Sequence, residues 1–542
     1  MDNDYDQDLG SLKIAFVIFL GCVVVNINQN FLGWIALPRN RFIFIAVGVL
    51  LIVGGIAFLV WKIQASQKLK VTENGILGKD IDSVFCGITN KQEEVWIKPK
   101  QRSMHTQVIG TTNAGKTESV IIPWAVQDIF SGKGILLIDG KADNSLIDKL
   151  WSYTVKAGRE KDFKLFSLSR RDKSSQFNPL IGGTAEEITE RVFNAFDFEN
   201  PYYRSLQYEV MNQVMRVFQE KNEIVTFERL HQVISNPNIL EAMAIGVQDP
   251  GLTQWVQWYG GLSASDRENR TSGLLTAIGH FAFGSNAALY NANEGTITIE
   301  KALAENQIVY FQLPVLLSPF LGKATGKLVL QSLQAAVANR HRLAQGKERK
   351  FFSVYLDDFS EYLNESFISV LNKSRSANLG IVFAHQALGD IKVLGDPVAN
   401  TILTNANLKI LMRGNDPDSA EYFSKVIGTK STTKFTERQK KTRIGIDKSG
   451  DVSAREVEEF TVHPNTFKKD LGVGEAIMII PHDKGSKTVR LKFNKIDDLK
   501  PVELPRIEKR VVGLIQQNLN NVRPAAIPFG REISKIGVIN AI

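Results

Sequence analysis

Residues Gly110, Thr111, Thr112, Asn113, Ala114, Gly115, Lys116 and Thr117 run in the order G-x-x-x-x-G-K-T, with Glu118 next. Each residue type has a job in holding a polyphosphate. Glycines let backbone N–H groups turn inward, and the following helix offers its positive N-terminal end. The Lys116 ammonium reaches the outer phosphates, and the Thr117 hydroxyl ligates the magnesium that accompanies ATP. A second acidic element is needed on the metal side. Residues 351–358 (FFSVYLDD) supply it as an apolar run ending in Asp357 and Asp358. Asp357 is the metal-side carboxylate; Asp358 orients or deprotonates the attacking water, with Glu361 as its fallback.

These groups must sit on one rim. A β-prone stretch at 105–109 precedes the loop and an apolar helical segment at 118–130 follows it. Further strands are expected at 134–139, 307–313, 351–358, 380–384 and 407–412, with helices near 322–343 and 360–376. Continuous apolar strands alternating with helices indicate an α/β protein whose parallel sheet is covered on both faces. Ligands bind at the carboxyl ends of such strands, which brings Asp139, Asp357 and Gln386 beside the phosphate loop.

The chain has 542 residues, a net charge of +8 and 44% hydrophobic residues, which excludes wholesale disorder. Its two cysteines exclude a disulfide framework or a cysteine zinc cluster. Residues 42–61 form an uncharged apolar run, long enough at roughly 1.5 Å per residue to cross a bilayer of about 30 Å. A second, interrupted apolar stretch covers 14–37. The reading is a two-helix membrane hairpin, and Lys62, Lys68, Lys70 and Lys79 place the bulk of the chain on the cytosolic side. Five units follow: 1–65, the anchor; 66–183, the first part of the nucleotide-binding domain; 184–304, an all-helical insertion; 305–500, its second part; 501–542, a short tail. Thr184 and Glu187 make a capping box at the start of the insertion; the segment through Trp255, Trp258 and Tyr259 is aromatic, and its tryptophans are read as core rather than as a base-stacking platform. A basic hairpin or loop at 430–443, followed by a Ser449–Gly450 turn, and a cluster of Arg340, Arg342, Lys347, Arg349 and Lys350 are candidate phosphate contacts.

The order of these features, with H-T-Q-V-I-G-T-T-N-A-G-K-T-E, L-D-D and S-R-S-A-N-L-G-I-V-F-A-H-Q, resembles the type IV secretion coupling proteins of the TraD/TraG type. The resemblance implies a RecA-like motor in the bacterial inner membrane, assembled as a homo-hexamer. It implies ATP hydrolysis with Mg²⁺, and delivery of relaxase-bound single-stranded DNA or protein substrates to the secretion channel. It also implies that Gln386 senses the γ-phosphate and that Arg375 acts on the neighbouring subunit's nucleotide. Asn113 and Asp358 depart from the family's usual Gly and Glu. Two other readings share the motor features: a septal-type double-strand DNA translocase and a non-hydrolysing, nucleotide-gated substrate receptor.

Overall fold

A computed structural model describes residues 82–507 apart from 199, 294–296, 343–348 and 443–444, together with the fragments 50–51, 53–58, 68–69, 71–72 and 75–76. The chain divides into 1–69 and 70–542. Of the anticipated membrane hairpin, 14–37 lies outside the described residues, as does 42–61 apart from 50–51 and 53–58, which are helical and exposed. Among the described residues no helix is long and apolar enough to cross a membrane.

The strands of the main sheet are β1 (Val84–Thr89), β2 (Glu94–Ile97), β3 (Thr106–Ile109), β4 (Gly134–Asp139), β5 (Phe163–Ser167), β6 (Ile308–Gln312), β7 (Phe352–Asp357), β8 (Leu379–His385) and β9 (Leu408–Met412). After a separate hairpin, β10 (Thr429–Thr442) and β11 (Gly445–Phe460), the sheet is completed by β12 (Glu475–His482) and β13 (Gly485–Phe493). Its order is β2-β1-β13-β12-β9-β3-β8-β7-β4-β6-β5. From β9 to β5 every pairing is parallel. From β9 to β2 every pairing is antiparallel. All positions of β3, β4, β6, β7, β8 and β9 are buried, as expected for strands covered on both faces.

Six of the seven parallel strands carry the apolar runs legible in the sequence. The seventh, edge strand β5, has two half-buried positions and a lysine, so its hydrophobic signal is diluted. The antiparallel extension β12–β13 mixes buried and exposed positions for the same reason.

The helix after the phosphate loop differs from the expected continuous one. Thr117–Ile121 is a π-helical turn, and α1 (Ile122–Phe130) begins only after it. Pro123 has no N–H to give the Ser119 carbonyl, so the turn before it widens, and the Ile122 N–H bonds back to the Thr117 carbonyl. Residues 360–376 likewise divide, into a 3₁₀ turn at Phe359–Tyr362 and a helix at Phe367–Ser374. Asn144–Lys156 forms α2, capped by the Asp143 carboxylate on the Ser145 N–H.

Between Ala185 and Glu305 the described elements are helices only. The helix Ala185–Phe193 opens on the capping box: Glu187 N–H donates to Thr184 Oγ1 at 3.3 Å, and Thr184 N–H donates to Glu187 Oε2 at 3.2 Å. Thr184→Ala removes one side of this reciprocal pair. The expected loss is about 1 kcal/mol in chemical denaturation, and a change within about 0.3 kcal/mol contradicts a stabilising cap.

Three expectations need correction here. Trp258 is 42% exposed, with the Arg270 guanidinium 5.0 Å from its ring, whereas Tyr259 is fully buried and Trp255 is half-buried with its indole N–H on Glu209. The hairpin reverses between Thr442 and Gly445, and Ser449 and Gly450 lie inside β11. Arg340 is buried and donates to the Lys350 carbonyl, so it is spent on closing the helix-to-strand connection rather than displayed for a phosphate.

Candidate functional site

The phosphate loop joins the end of β3 to the π turn. Its glycines serve close approach: a Cβ on Gly110 lies 2.9 Å from the Met412 Cβ, and Gly115 takes φ +97° with Ser119 Oγ 2.9 Å from where a Cβ would stand. Asn113, at φ +66°, adopts the left-handed conformation that a glycine takes without cost, and asparagine is among the side chains that tolerate it best. The loop is braced from neighbouring strands, Thr111 N–H donating to the Arg413 carbonyl at 2.9 Å and Gly110 N–H to the His385 carbonyl at 3.3 Å.

Lys116 is 6% exposed, and its ammonium folds back on the loop, donating to the Gly110 carbonyl at 2.6 Å and the Thr111 carbonyl at 3.3 Å. Burial lowers its pKa, and Asp357 opposes that shift. Thr117 Oγ1 donates to Asp357 Oδ2 at 2.7 Å. Burial raises the Asp357 pKa and Asp358 adds to the rise, while Thr117, Lys141 and Lys116 pull it down. Asp358 follows in a left-handed turn at φ +47°, with its Oδ2 3.0 Å from Lys141 Nζ. The fallback Glu361 is held by Lys323 at 3.3 Å.

Gln386 stands exposed just past β8, on the same rim, where Thr112 Oγ1 donates to its Oε1 at 3.4 Å. Its backbone is fixed from behind. The Gln386 N–H donates to Asp390 at 2.7 Å, and the preceding His385 is wedged between the Ala387 carbonyl at 2.8 Å and Gln107 Nε2 at 2.9 Å. Burial lowers the His385 pKa to about 4, so the ring is neutral, with Nδ1 donating to Ala387 and Nε2 accepting from Gln107.

The structure thus gathers Gly110–Thr117, Asp357, Asp358 and Gln386 on one rim. Arg375 is elsewhere. It caps the helix before β8 and lies at the opposite end of that strand, whose seven residues at about 3.3 Å each separate it from Gln386 by roughly 20 Å. Its exposed side chain makes no hydrogen bond or ion pair among the described residues. Glu118, next to Thr117, pairs with Lys149 at 2.8 Å, and Lys149 also reaches Asp498 at 2.8 Å.

Sequence reasoning named Asp139 only as a rim residue and missed Lys141. Asp139 aligns with Asp357 across β4 and β7, and its carboxylate accepts from the N–H groups of Lys141, Ala142 and Asp143 and from Tyr310 Oη. Burial raises its pKa to about 6, with Asp357 adding to the shift. The available signal was the Asp-Gly-Lys run at the end of an apolar strand.

A hydroxyl and a carboxylate oxygen facing each other at 2.7 Å are hard donors of the kind magnesium takes. Among the described residues no group of three or more His, Cys, Asp or Glu is placed to hold a metal ion, and a magnesium site completed by phosphate oxygens and water does not require one.

This fold and rim define a class: an α/β protein with a P-loop at the carboxyl edge of a mostly parallel sheet. Three comparisons narrow it. Residues 352–469 match the family model described as the TraM recognition site of TraD and TraG. The chain is 25% identical over 475 residues to the type 4 coupling protein DotL of Legionella pneumophila subsp. pneumophila, an alignment covering 73% of this chain and 60% of that protein. The chain therefore spans 60% of the length of this curated relative. The bacterial conjugative coupling protein TrwBdeltaN70 in its unbound monoclinic form superposes with a TM-score of 0.56 at 12% identity, over 78% of this chain and 91% of that one. TrwB in complex with a non-hydrolysable ATP analogue gives a TM-score of 0.54 at 13% identity, over 74% and 89%. The chain has a TrwB-like fold, and its resemblance to type IV secretion coupling proteins holds in sequence and in structure.

Proposed function

We propose that the chain is a membrane-anchored ATPase that couples ATP hydrolysis to recruitment and passage of DNA–protein or protein substrates at a type IV secretion channel. The observation that carries the reading is the 2.7 Å contact between Thr117 and Asp357 at the mouth of a P-loop whose lysine stands ready beside it. The relatives support it: DotL is a type 4 coupling protein, and TrwB structures contain an ATP analogue in one case and ADP with Mg²⁺ in another.

In this reading the loop amides from Gly110 to Thr117 and the Lys116 ammonium bind the phosphates, with Glu118 as the adjoining helix residue. Thr117 and Asp357 hold magnesium, which neutralises charge on the β- and γ-phosphates when bound. Asp358 orients the attacking water and accepts its proton, and Gln386 reports the γ-phosphate to β8. Arg375 acts in trans, consistent with its position at the opposite end of β8 from the phosphate loop. A homo-hexamer supplies that neighbour. The hairpin at 14–61 anchors the assembly in the inner membrane, the units 66–183 and 305–500 form the motor, and the helical unit 184–304 is available to cargo. The β10–β11 hairpin is less basic in effect than its first strand suggests, because Lys434 pairs with Glu459 at 2.6 Å and Lys430 lies opposite Glu459.

Phosphate release by the purified chain, with and without single-stranded DNA, tests the function. The motor reading expects turnover stimulated several-fold by DNA or by a relaxase–DNA complex. Nucleotide binding without turnover under either condition points instead to a gated receptor, and stimulation by duplex DNA alone points to a double-strand translocase.

A further inference from the structure

The loop after β4 is built around one side chain. Asp139 accepts three successive backbone N–H groups, from Lys141 at 2.9 Å, Ala142 at 3.2 Å and Asp143 at 2.9 Å, which fixes the loop as it leaves the strand. Ala142 is held at φ +59°, a conformation that non-glycine residues adopt only when their surroundings impose it. Gly140 lets the loop pass close to the acidic strand end: a Cβ there would stand 3.5 Å from the Asp358 Cβ. The outcome is the Lys141 ammonium 3.0 Å from Asp358 Oδ2, with the lysine side chain 52% exposed and the aspartate side chain 10% exposed.

That pairing is awkward for the role given to Asp358. A carboxylate engaged by an ammonium is not free to take the proton of an incoming water. The charges on the rim make the same point: Asp139, Asp357 and Asp358 face Lys116 and Lys141, and a triphosphate adds several negative charges to a cluster already short of cations. Lys116 is enclosed by its own loop, whereas the Lys141 side chain is 52% exposed and has open space into which to change partners.

We propose that Lys141 is a further catalytic residue, whose ammonium leaves Asp358 for a γ-phosphate oxygen when ATP binds. One exchange then does two things. It brings positive charge to the phosphoryl group as the bond to the bridging oxygen breaks and its electron pair departs with ADP. It also leaves Asp358 unpaired, facing the water whose oxygen bonds to phosphorus. ADP, lacking the third phosphate, leaves the Lys141–Asp358 pair in place. The inference rests on the ATPase reading and adds an ATP-specific contact to it.

The test compares wild type, Lys141→Met and Lys141→Arg as purified full-length chains, measuring affinity for a non-hydrolysable ATP analogue, affinity for ADP, and single-turnover hydrolysis. Lys141→Met is expected to weaken analogue binding about tenfold, to leave ADP binding within about twofold, and to slow hydrolysis about a hundredfold, the size of effect that follows removal of one donor to developing charge. Lys141→Arg restores most of the rate, since it keeps the charge and reach. A Lys141→Met protein with unchanged analogue-to-ADP selectivity and wild-type rate overturns the proposal, as does an equal loss of both ligands, which marks a merely structural ion pair. Wild-type protein that binds neither nucleotide overturns the ATPase reading itself, and that outcome is read from the wild-type control alone.

Discussion

Lys116→Ala is expected to abolish ATP hydrolysis, lowering single-turnover rates by about a thousandfold or more, while the protein stays folded. Two features of the loop argue for so uneven an effect. The ammonium is buried against the Gly110 and Thr111 carbonyls, and burial lowers its pKa, so without nucleotide the charged group is held at a cost rather than as a stabilising contact. Removing it relieves that cost, and the space it vacates admits water to the Gly110 and Thr111 carbonyls. With nucleotide present the balance reverses, because the same ammonium is the one cation built into the loop for the outer phosphates, and electrostatic stabilisation in such a site is worth orders of magnitude in rate. Stopped-flow phosphate release and a thermal melt on the same preparation check both halves. A variant that hydrolyses ATP at wild-type rate sinks the role given to the loop; one that fails to fold sinks the account of its apo-state energetics.

What could be read from sequence follows a physical divide. Gly110–Thr117 was legible because phosphate binding at a helix N-terminus is local: eight consecutive residues contain the turn, the ammonium and the hydroxyl. Asp357 was legible because a buried parallel strand is a continuous apolar run and an acid at its end stands out. Lys141 was not, since its meaning comes from strand adjacency. Only the in-register alignment of Asp139 with Asp357 brings its loop to Asp358, and adjacency of β4 and β7, about 215 residues apart in the chain, leaves no mark in either segment. The π turn after the loop is a different case. Pro123 was visible, but its effect depends on which carbonyl its missing N–H would have met.

A buried polar cluster that no motif announces depends on strand and helix adjacency in the same way. Arg102 lies in the short helix Pro99–Arg102, Asp128 on α1, and Ser353 and Tyr355 on β7, and they meet in the interior with Arg102 and Asp128 side chains fully buried. Arg102 donates to both Asp128 oxygens at 2.7 Å, while Ser353 Oγ and Tyr355 Oη donate to Asp128 Oδ2 at 2.6 and 2.5 Å. Burial works against the Asp128 charge, but the Arg102 guanidinium outweighs it and holds the carboxyl below the usual carboxylate range. Side chains alternate along a strand, so Ser353, Tyr355 and Asp357 share one face of β7. The cluster therefore ties the helix that follows the P-loop to the strand that carries its acidic partner.

Asp128→Ala is accordingly expected to be strongly destabilising to the sheet core. It leaves a buried guanidinium without its counter-charge and takes away the acceptor of the Ser353 and Tyr355 hydroxyls, and breaking a buried pair by removing one partner costs about 3–5 kcal/mol. The double variant Arg102→Met/Asp128→Leu removes both charges and fills the space, so it is expected to recover most of that loss, because well-packed apolar replacements of buried ion pairs are often neutral. Chemical denaturation of the single and double variants measures both quantities. A single-variant loss below about 1 kcal/mol means the cluster does not brace the interior. If instead the double variant regains stability but not nucleotide affinity, the polar cluster is what keeps Thr117 and Asp357 at their working separation, a role that apolar packing does not replace.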